Sequence, residues 1–122
     1  MIINWLEKNK VIPLVMVLQI AVFIFYVSSL TFESTQKTLG IESIVYHIGV
    51  FFAFAFFLNI SLCRGNKHFL IVCLLIALGY GVLDEIHQIF VPGRSASVFD
   101  VFLDFIGIVY ASMIYFIALI RR

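Results

Sequence analysis

Nine polar or charged side chains fall between residues 84 and 104 of a chain that is otherwise strongly apolar. The chain has 122 residues, of which 63% are hydrophobic and 12% charged. Closely spaced carboxylates and imidazoles can act as general acids and bases, and an arginine beside them can hold a phosphate or a carboxylate. A charge inside a membrane span costs at least about 2.5–3.5 kcal/mol, so it usually has a function or a firm partner. This segment is therefore the candidate working site.

Four of these side chains end the third apolar segment. Asp84, His87 and Gln88 have the i, i+3, i+4 spacing of one helical face, and Glu85 lies a step around from it. The spacing predicts that a carboxylate, an imidazole and an amide lie together at one end of a helix.

A turn follows that helix. Pro92 cannot continue the helical hydrogen-bond ladder, and Gly93 permits a sharp reversal. Arg94 is therefore expected beside several acids. Its planar guanidinium can bridge Glu85 or Asp100, or bind an incoming phosphate or carboxylate.

The next helix begins with a capping signal. Ser95 or Ser97 can cap it, and Asp100 follows Ser97 by three residues in an arrangement like a capping box. Asp100 and Asp104 are four residues apart, and Gly107 continues their stripe. A small residue there lets another helix approach closely, so we expect both acids to face the other helices rather than lipid.

The elements that position these groups are apolar segments long enough to cross a hydrocarbon core of about 30 Å. The sequence therefore predicts an all-α fold, a bundle of four transmembrane helices in a single domain over residues 1–122. The four segments are about 11–31, 44–62, 69–90 and 98–120.

The first segment could also be read as a cleaved signal peptide, because Lys8 and Lys10 precede it. It has about 21 apolar residues and no small-x-small cleavage site, which favours an uncleaved span. The net charge of +1 and the lack of a basic patch give no indication of nucleic-acid binding.

The cations predict the orientation. Only Lys37 and Arg94 fall on one side of four alternating helices. The positive-inside rule then places both termini in the cytoplasm and loops 32–43 and 91–97 outside. The six cations of the cytoplasmic side are Lys8, Lys10, Arg64, Lys67, Arg121 and Arg122.

This topology brings polar residues of all four helices to the outer end. Ser28 and Ser29 end helix 1, and His47 lies three residues into helix 2. Ser28, Ser29, Gln88 and the inner Asn59 are expected to form hydrogen bonds between helices. A functional role is expected for Glu85, His87, Arg94 and Asp100.

Together these residues resemble the VanZ-like family of bacterial membrane proteins over essentially the whole chain. The block 85–94 is the specific part of the resemblance. Many relatives carry asparagine where this chain has Asp104. The matching segments are Asp-Glu-Ile-His-Gln at 84–88, Phe-Val-Pro-Gly-Arg at 90–94, Asp100, Asp104-x-x-Gly107, Tyr-His-Ile-Gly at 46–49 and the serine pair 28–29.

The resemblance implies a small polytopic protein of the bacterial plasma membrane with a role in the cell envelope. The family takes its name from low-level antibiotic resistance, to the glycopeptide teicoplanin, and the resemblance implies no particular reaction.

The leading hypothesis is an outward-facing polar pocket that binds or shields an envelope component. Its partner would be a membrane lipid or a lipid-linked precursor, with no nucleic acid, and a homo-oligomer is left open. The candidate binding residues are His47, Asp84, Glu85, His87, Gln88, Arg94, Asp100 and Asp104.

Two alternatives belong to other classes. In an intramembrane enzyme acting on a lipid-linked or lipid-phosphate substrate, Glu85 or His87 would be general base or nucleophile and Arg94 would stabilise negative charge. A small transporter could use the acids and histidines as a proton relay, but no repeat or broken-helix pair supports it. His47, His87 and two of the acids are candidate ligands of a divalent metal such as zinc, yet the spacing follows no standard pattern, so neither a metal nor a cofactor is expected.

Overall fold

The computed structural model describes residues 2–31 and 40–121. Within these ranges the chain is α-helical without strands, which confirms the expected all-α class. Lys37, Arg122 and most of the expected outer loop 32–43 lie outside the described residues. The helices are α1 (Ile2–Lys8), α2 (Val11–Ser29), α3 (Ile41–Cys63), α4 (Leu70–Ile89) and α5 (Val98–Ile120), with a 3-10 turn (Lys67–Phe69) before α4.

Four of the helices in the described part of the chain are long and apolar enough to cross a membrane. They are α2, α3, α4 with its preceding 3-10 turn, and α5, at 19, 23, 23 and 23 residues. Their outward faces carry exposed apolar side chains such as Val22, Leu83 and Ile114. Such a surface suits lipid rather than water.

The helix bounds differ from the expected ones in places that matter for the site. Helix α3 begins at Ile41, three residues before the expected start, because Gly40 is extended and Glu42 suits the positive end of the helix dipole. His47 is consequently six residues into the helix rather than three. Helix α2 ends at Ser29, since Leu30 is extended with φ −69° and ψ 131°.

Helices α3 and α5 approach each other closely in the bundle core. A Cβ added at Gly107 would overlap the carbonyl oxygen of Ile48 and lie 3.0 Å from the backbone nitrogen of Phe52. The glycine therefore lets the two backbones touch. Asp104 and Ala111, one turn to either side, are fully buried, so the stripe through Asp104 and Gly107 faces the bundle as expected.

One end of the bundle is held together by a buried tyrosine. The Tyr115 hydroxyl donates to Glu7 Oε1 at 2.5 Å and accepts from the Gly65 backbone N–H at 3.1 Å. It thus joins α1, the turn after α3 and α5. The buried thiols of Cys63 and Cys73 lie at the same end, with their sulfur atoms 3.6 Å apart.

The short helix α1 buries only part of its apolar surface. Leu6 is buried in the core, whereas Ile2 and Trp5 are exposed. A seven-residue helix tied to the bundle through Glu7 can turn only part of its apolar surface inward.

Candidate functional site

The polar residues gather at the end of the bundle opposite Tyr115, and a histidine between two carboxylates lies at their centre. His47 Nδ1 is 2.8 Å from Asp104 Oδ1, and His47 Nε2 is 3.8 Å from Asp100 Oδ2. The first distance is a hydrogen bond, which joins α3 to α5, and the second is longer than one. All three side chains are buried. The i, i+4 spacing of the two acids along α5 lets them face one imidazole.

Glu85 connects the end of α4 to the start of α5. Its Oε2 accepts from the Ser97 backbone N–H at 2.7 Å, and the Ser97 hydroxyl accepts from the Asp100 N–H at 3.2 Å. The predicted Ser97 cap is therefore present. In a capping box, the acid three residues after the cap accepts the cap residue's own N–H. Here that N–H is bonded to Glu85 of the preceding helix.

His87 faces α2. Its Nε2 lies 3.0 Å from the Ser29 hydroxyl, which also donates to the Phe25 carbonyl at 2.7 Å, so His87 is the donor in this pair. The imidazole stacks on the Phe25 ring with centroids 4.6 Å apart. The expected interhelical bond of Ser29 is thus present, and it fixes the end of α4 against the end of α2.

Arg94 closes the last turn of α2. Its Nε donates to the Leu30 carbonyl at 3.0 Å and an Nη donates to the Val27 carbonyl at 2.6 Å. The final carbonyls of a helix lack partners within the helix and carry its negative dipole end, so a cation there is favourable. The arginine expected to reach toward acids or a ligand therefore also has a capping role.

One of the expected interhelical bonds runs within a helix instead. Gln88 Nε2 contacts Asp84 Oδ2 at 3.1 Å and Glu85 Oε1 at 3.2 Å, both on its own helix. The Ser28 hydroxyl contacts the Phe25 carbonyl at 3.0 Å, as serine often does in a last turn, and it also has a hydrogen-bond contact with the Asp84 carboxylate of α4, as expected. Asn59 does bond between helices, to the Ser112 hydroxyl at 3.3 Å, as expected.

A cavity of about 210 Å³ opens among these groups. Sequence reasoning did not assign Ser43 and Tyr46 to the site, although Ser43, Tyr46 and His47 have the i, i+3, i+4 spacing of one helical face and all three line the cavity. Four of the eight predicted binding residues also line it. The complete lining is Val27, Ser28, Ser43, Tyr46, His47, Asp84, Gln88 and Arg94.

The other four predicted residues lie at the same end but outside that lining. Glu85, Asp100 and Asp104 are buried between the helices, and His87 is half-buried against α2. His47, Glu85 and Asp100 offer ligand atoms within 4.8 Å of one another, a group able to hold a metal ion. His87, the second metal candidate from the sequence, is not part of that group.

The fold and the site define a small multi-pass membrane protein, a helix bundle with a polar cavity at one end. The chain belongs to the VanZ/LLP1 family, whose model matches residues 6–120, nearly its full length. This confirms the family resemblance. No curated protein and no solved structure matches the chain.

Proposed function

We propose that this chain is a membrane protein of the bacterial cell envelope whose polar cavity binds the head group of a lipid or of a lipid-linked envelope component. The observation that carries the proposal is the cavity itself: a polar space at one end of an apolar bundle. Charged and hydrogen-bonding groups at membrane depth are costly, so a ligand that uses them is the expected reason for their presence.

The chemistry of the lining supports a small polar ligand with both donors and acceptors. Asp84 supplies a carboxylate, Arg94 a guanidinium, and Ser43, Tyr46 and Gln88 neutral hydrogen-bonding groups. About 210 Å³ is below the roughly 300–1,000 Å³ of pockets for drug-sized ligands. The cavity thus has room for a head group, while acyl or prenyl chains would remain in the membrane.

The surface beside the cavity offers a path for such chains. Tyr26, one residue before the lining residue Val27, and Val45, two residues after Ser43, are 61% and 64% exposed. Apolar and aromatic side chains near the end of a membrane helix suit the boundary between lipid tails and head groups.

The distribution of cations supports an outward-facing cavity in the plasma membrane. The end held by Tyr115 carries an excess of lysine and arginine, and by the positive-inside rule that end would be cytoplasmic, together with both termini. Arg94 is the cation at the cavity end among described residues. The described cations of the opposite end are Lys8, Lys10, Arg64, Lys67 and Arg121.

Thiol labelling tests this orientation. In a background with Cys63→Ser and Cys73→Ser, a single cysteine is introduced by Ala96→Cys in the α4–α5 loop or by Lys67→Cys at the opposite end. Both positions are exposed. We expect a membrane-impermeant maleimide to label position 96 in intact cells and position 67 only after lysis. The reverse pattern would place the cavity on the cytoplasmic side and overturn the proposed orientation.

Co-purification of lipid tests the binding function. Ser43→Trp puts a bulky side chain into the cavity lining, and Val45→Trp puts the same side chain on the exposed face of the same helix. We expect mass spectrometry of the purified protein to find a lipid class enriched over bulk membrane in the wild type and in Val45→Trp, and depleted in Ser43→Trp. Equal lipid content in all three proteins would refute binding in this cavity.

A consequence at the cell surface can be measured separately. A protein that shields an outer envelope component would lower susceptibility to teicoplanin, which acts at that surface. We expect expression of the wild type and of Val45→Trp to raise the inhibitory concentration, and expression of Ser43→Trp to leave it unchanged. An unchanged concentration with the wild type would remove the resistance role from the proposal.

A further inference from the structure

Three side chains with metal-binding atoms meet where α3, α4 and α5 converge. His47 comes from α3, Glu85 from α4 and Asp100 from α5, and their ligand atoms lie within 4.8 Å of one another. Each residue is at most 6% exposed. We propose that these three residues bind one divalent ion of the zinc class, and that Asp104 positions His47 for it. This site does not depend on what occupies the cavity.

The hydrogen bond to Asp104 determines which ring nitrogen of His47 is available to bind a metal ion. An ionised carboxylate can only accept, so the 2.8 Å contact with Asp104 Oδ1 places a proton on His47 Nδ1; in the neutral imidazole that a metal requires, the lone pair is then on Nε2. Metal-binding histidines are commonly held in this way, with the second ring nitrogen donating to a carboxylate that fixes the ring and raises its basicity. Nε2 is the nitrogen that faces Asp100.

The separation of Nε2 from Asp100 suits two ligands of one ion. At 3.8 Å the two atoms are too far apart for a direct hydrogen bond. Zinc bonds to imidazole and carboxylate are about 2.0–2.2 Å, which puts two ligand atoms of a tetrahedral site roughly 3.4 Å apart. A small rotation of either side chain therefore brings both atoms to one centre.

The burial of Asp104 fits a positive charge at this place. Its Oδ2 is fully buried and has no hydrogen-bond partner among the described residues. A buried carboxylate needs hydrogen bonds or a nearby positive charge. An ion bound to His47 Nε2 would supply that charge through the imidazole.

The donor set indicates the class of ion. One imidazole nitrogen and two carboxylates suit zinc and similar divalent ions, whereas magnesium and calcium prefer oxygen ligands alone. Three protein ligands leave a fourth tetrahedral position open. Because His47 also lines the cavity, a group bound there could take that position.

The rival arrangement has no metal and a protonated imidazole shared by the two acids of α5. Metal content of the full-length protein, purified in detergent without chelator, separates the two. We expect about one zinc per chain in the wild type and in His87→Ala, and background zinc in His47→Ala and Asp100→Asn. His87→Ala is the matched histidine control, since His87 contacts Ser29 instead.

A second measurement uses the wild type, so that it tests the site even if the His47 and Asp100 variants fail to fold. Wild-type protein stripped with a chelator is titrated with Co²⁺ while the visible absorption of the ion is recorded, with Asp104→Asn alongside. We expect saturable d–d bands in the wild type and an affinity about 10–100-fold weaker in Asp104→Asn, as for other outer carboxylate partners. A stripped wild type that binds neither Zn²⁺ nor Co²⁺, or a folded His47→Ala that binds as well as wild type, would overturn the site.

Discussion

Asp104 and His47, fifty-seven residues apart in the chain, form a buried hydrogen bond of 2.8 Å between α5 and α3. The bond lies one turn from Gly107, where the two helix backbones touch. Close backbone packing and a polar pair therefore fix the same helix interface, and the polar pair sets the orientation of the imidazole that lines the cavity.

Two substitutions of Asp104 distinguish the contribution of its hydrogen bond to stability from the contribution of its charge. Asp104→Asn retains an oxygen that accepts from His47 Nδ1, so in metal-free protein we expect an unfolding free energy within about 1 kcal/mol of wild type. Asp104→Leu leaves the imidazole donor buried without its acceptor and should cost about 1–3 kcal/mol. Thermal unfolding in detergent measures both. Equal destabilisation by the two variants would show that the charge, and not the hydrogen bond, holds the contact.

Gly107→Ala should disrupt the contact between α3 and α5. Its added Cβ meets the backbone at Ile48 and Phe52, which cannot move aside as a flexible side chain would. We expect a loss of about 1–3 kcal/mol, the usual cost of overpacking, measured by thermal unfolding. Gly79→Ala is the matched control, because nothing lies within 4 Å of its added Cβ. If both variants unfold at the wild-type temperature, the close approach is not required.

Tyr115→Phe should release α1 from the bundle. The change removes the hydroxyl that bonds Glu7 and the Gly65 N–H. We expect faster trypsin cleavage at Lys8 and a stability loss of about 1–3 kcal/mol, because the hydrogen bond to the Glu7 carboxylate is lost. Tyr110→Phe, on the exposed face of the same helix, should cleave like wild type. Unchanged cleavage in Tyr115→Phe would mean that Leu6 packing alone holds α1.

Arg94→Lys should impair the site despite keeping the charge. A lysine cannot reproduce the two-point contact of Nε and Nη with the carbonyls of Leu30 and Val27. We expect a stability loss of about 1–3 kcal/mol and reduced lipid retention, measured by unfolding and by mass spectrometry. Arg121→Lys, at the opposite end, is the control. Full stability and lipid retention in Arg94→Lys would show that a positive charge at position 94 is sufficient and that the two-point contact of the guanidinium is not required.

The broad features of the fold and site were predictable from local signals. The lengths of the apolar segments predicted the membrane helices. The alternating direction of those helices predicted that His47, Asp84 and Asp100 lie at the same end of the bundle. The Ser97 cap and the inward stripe through Asp104 depend on short spacings that sequence shows directly.

The long-range partners were not predictable. That Glu85 bonds the Ser97 N–H, and that Arg94 bonds carbonyls of α2, depends on how helices lie against one another, which no local pattern specifies. Sequence also grouped His47 with His87 because both are histidines near the same surface. In the fold, His87 turns toward Ser29.

The Glu85 side chain has two separate effects: it fixes the start of α5 through its bond to the Ser97 N–H, and it carries a negative charge. A glutamine at position 85 would keep an oxygen for the Ser97 N–H. The bond to the start of α5 would then remain while the negative charge beside His47 disappeared. At this position, exchanging one oxygen atom for nitrogen would separate the effect of the hydrogen bond to Ser97 from the effect of the negative charge.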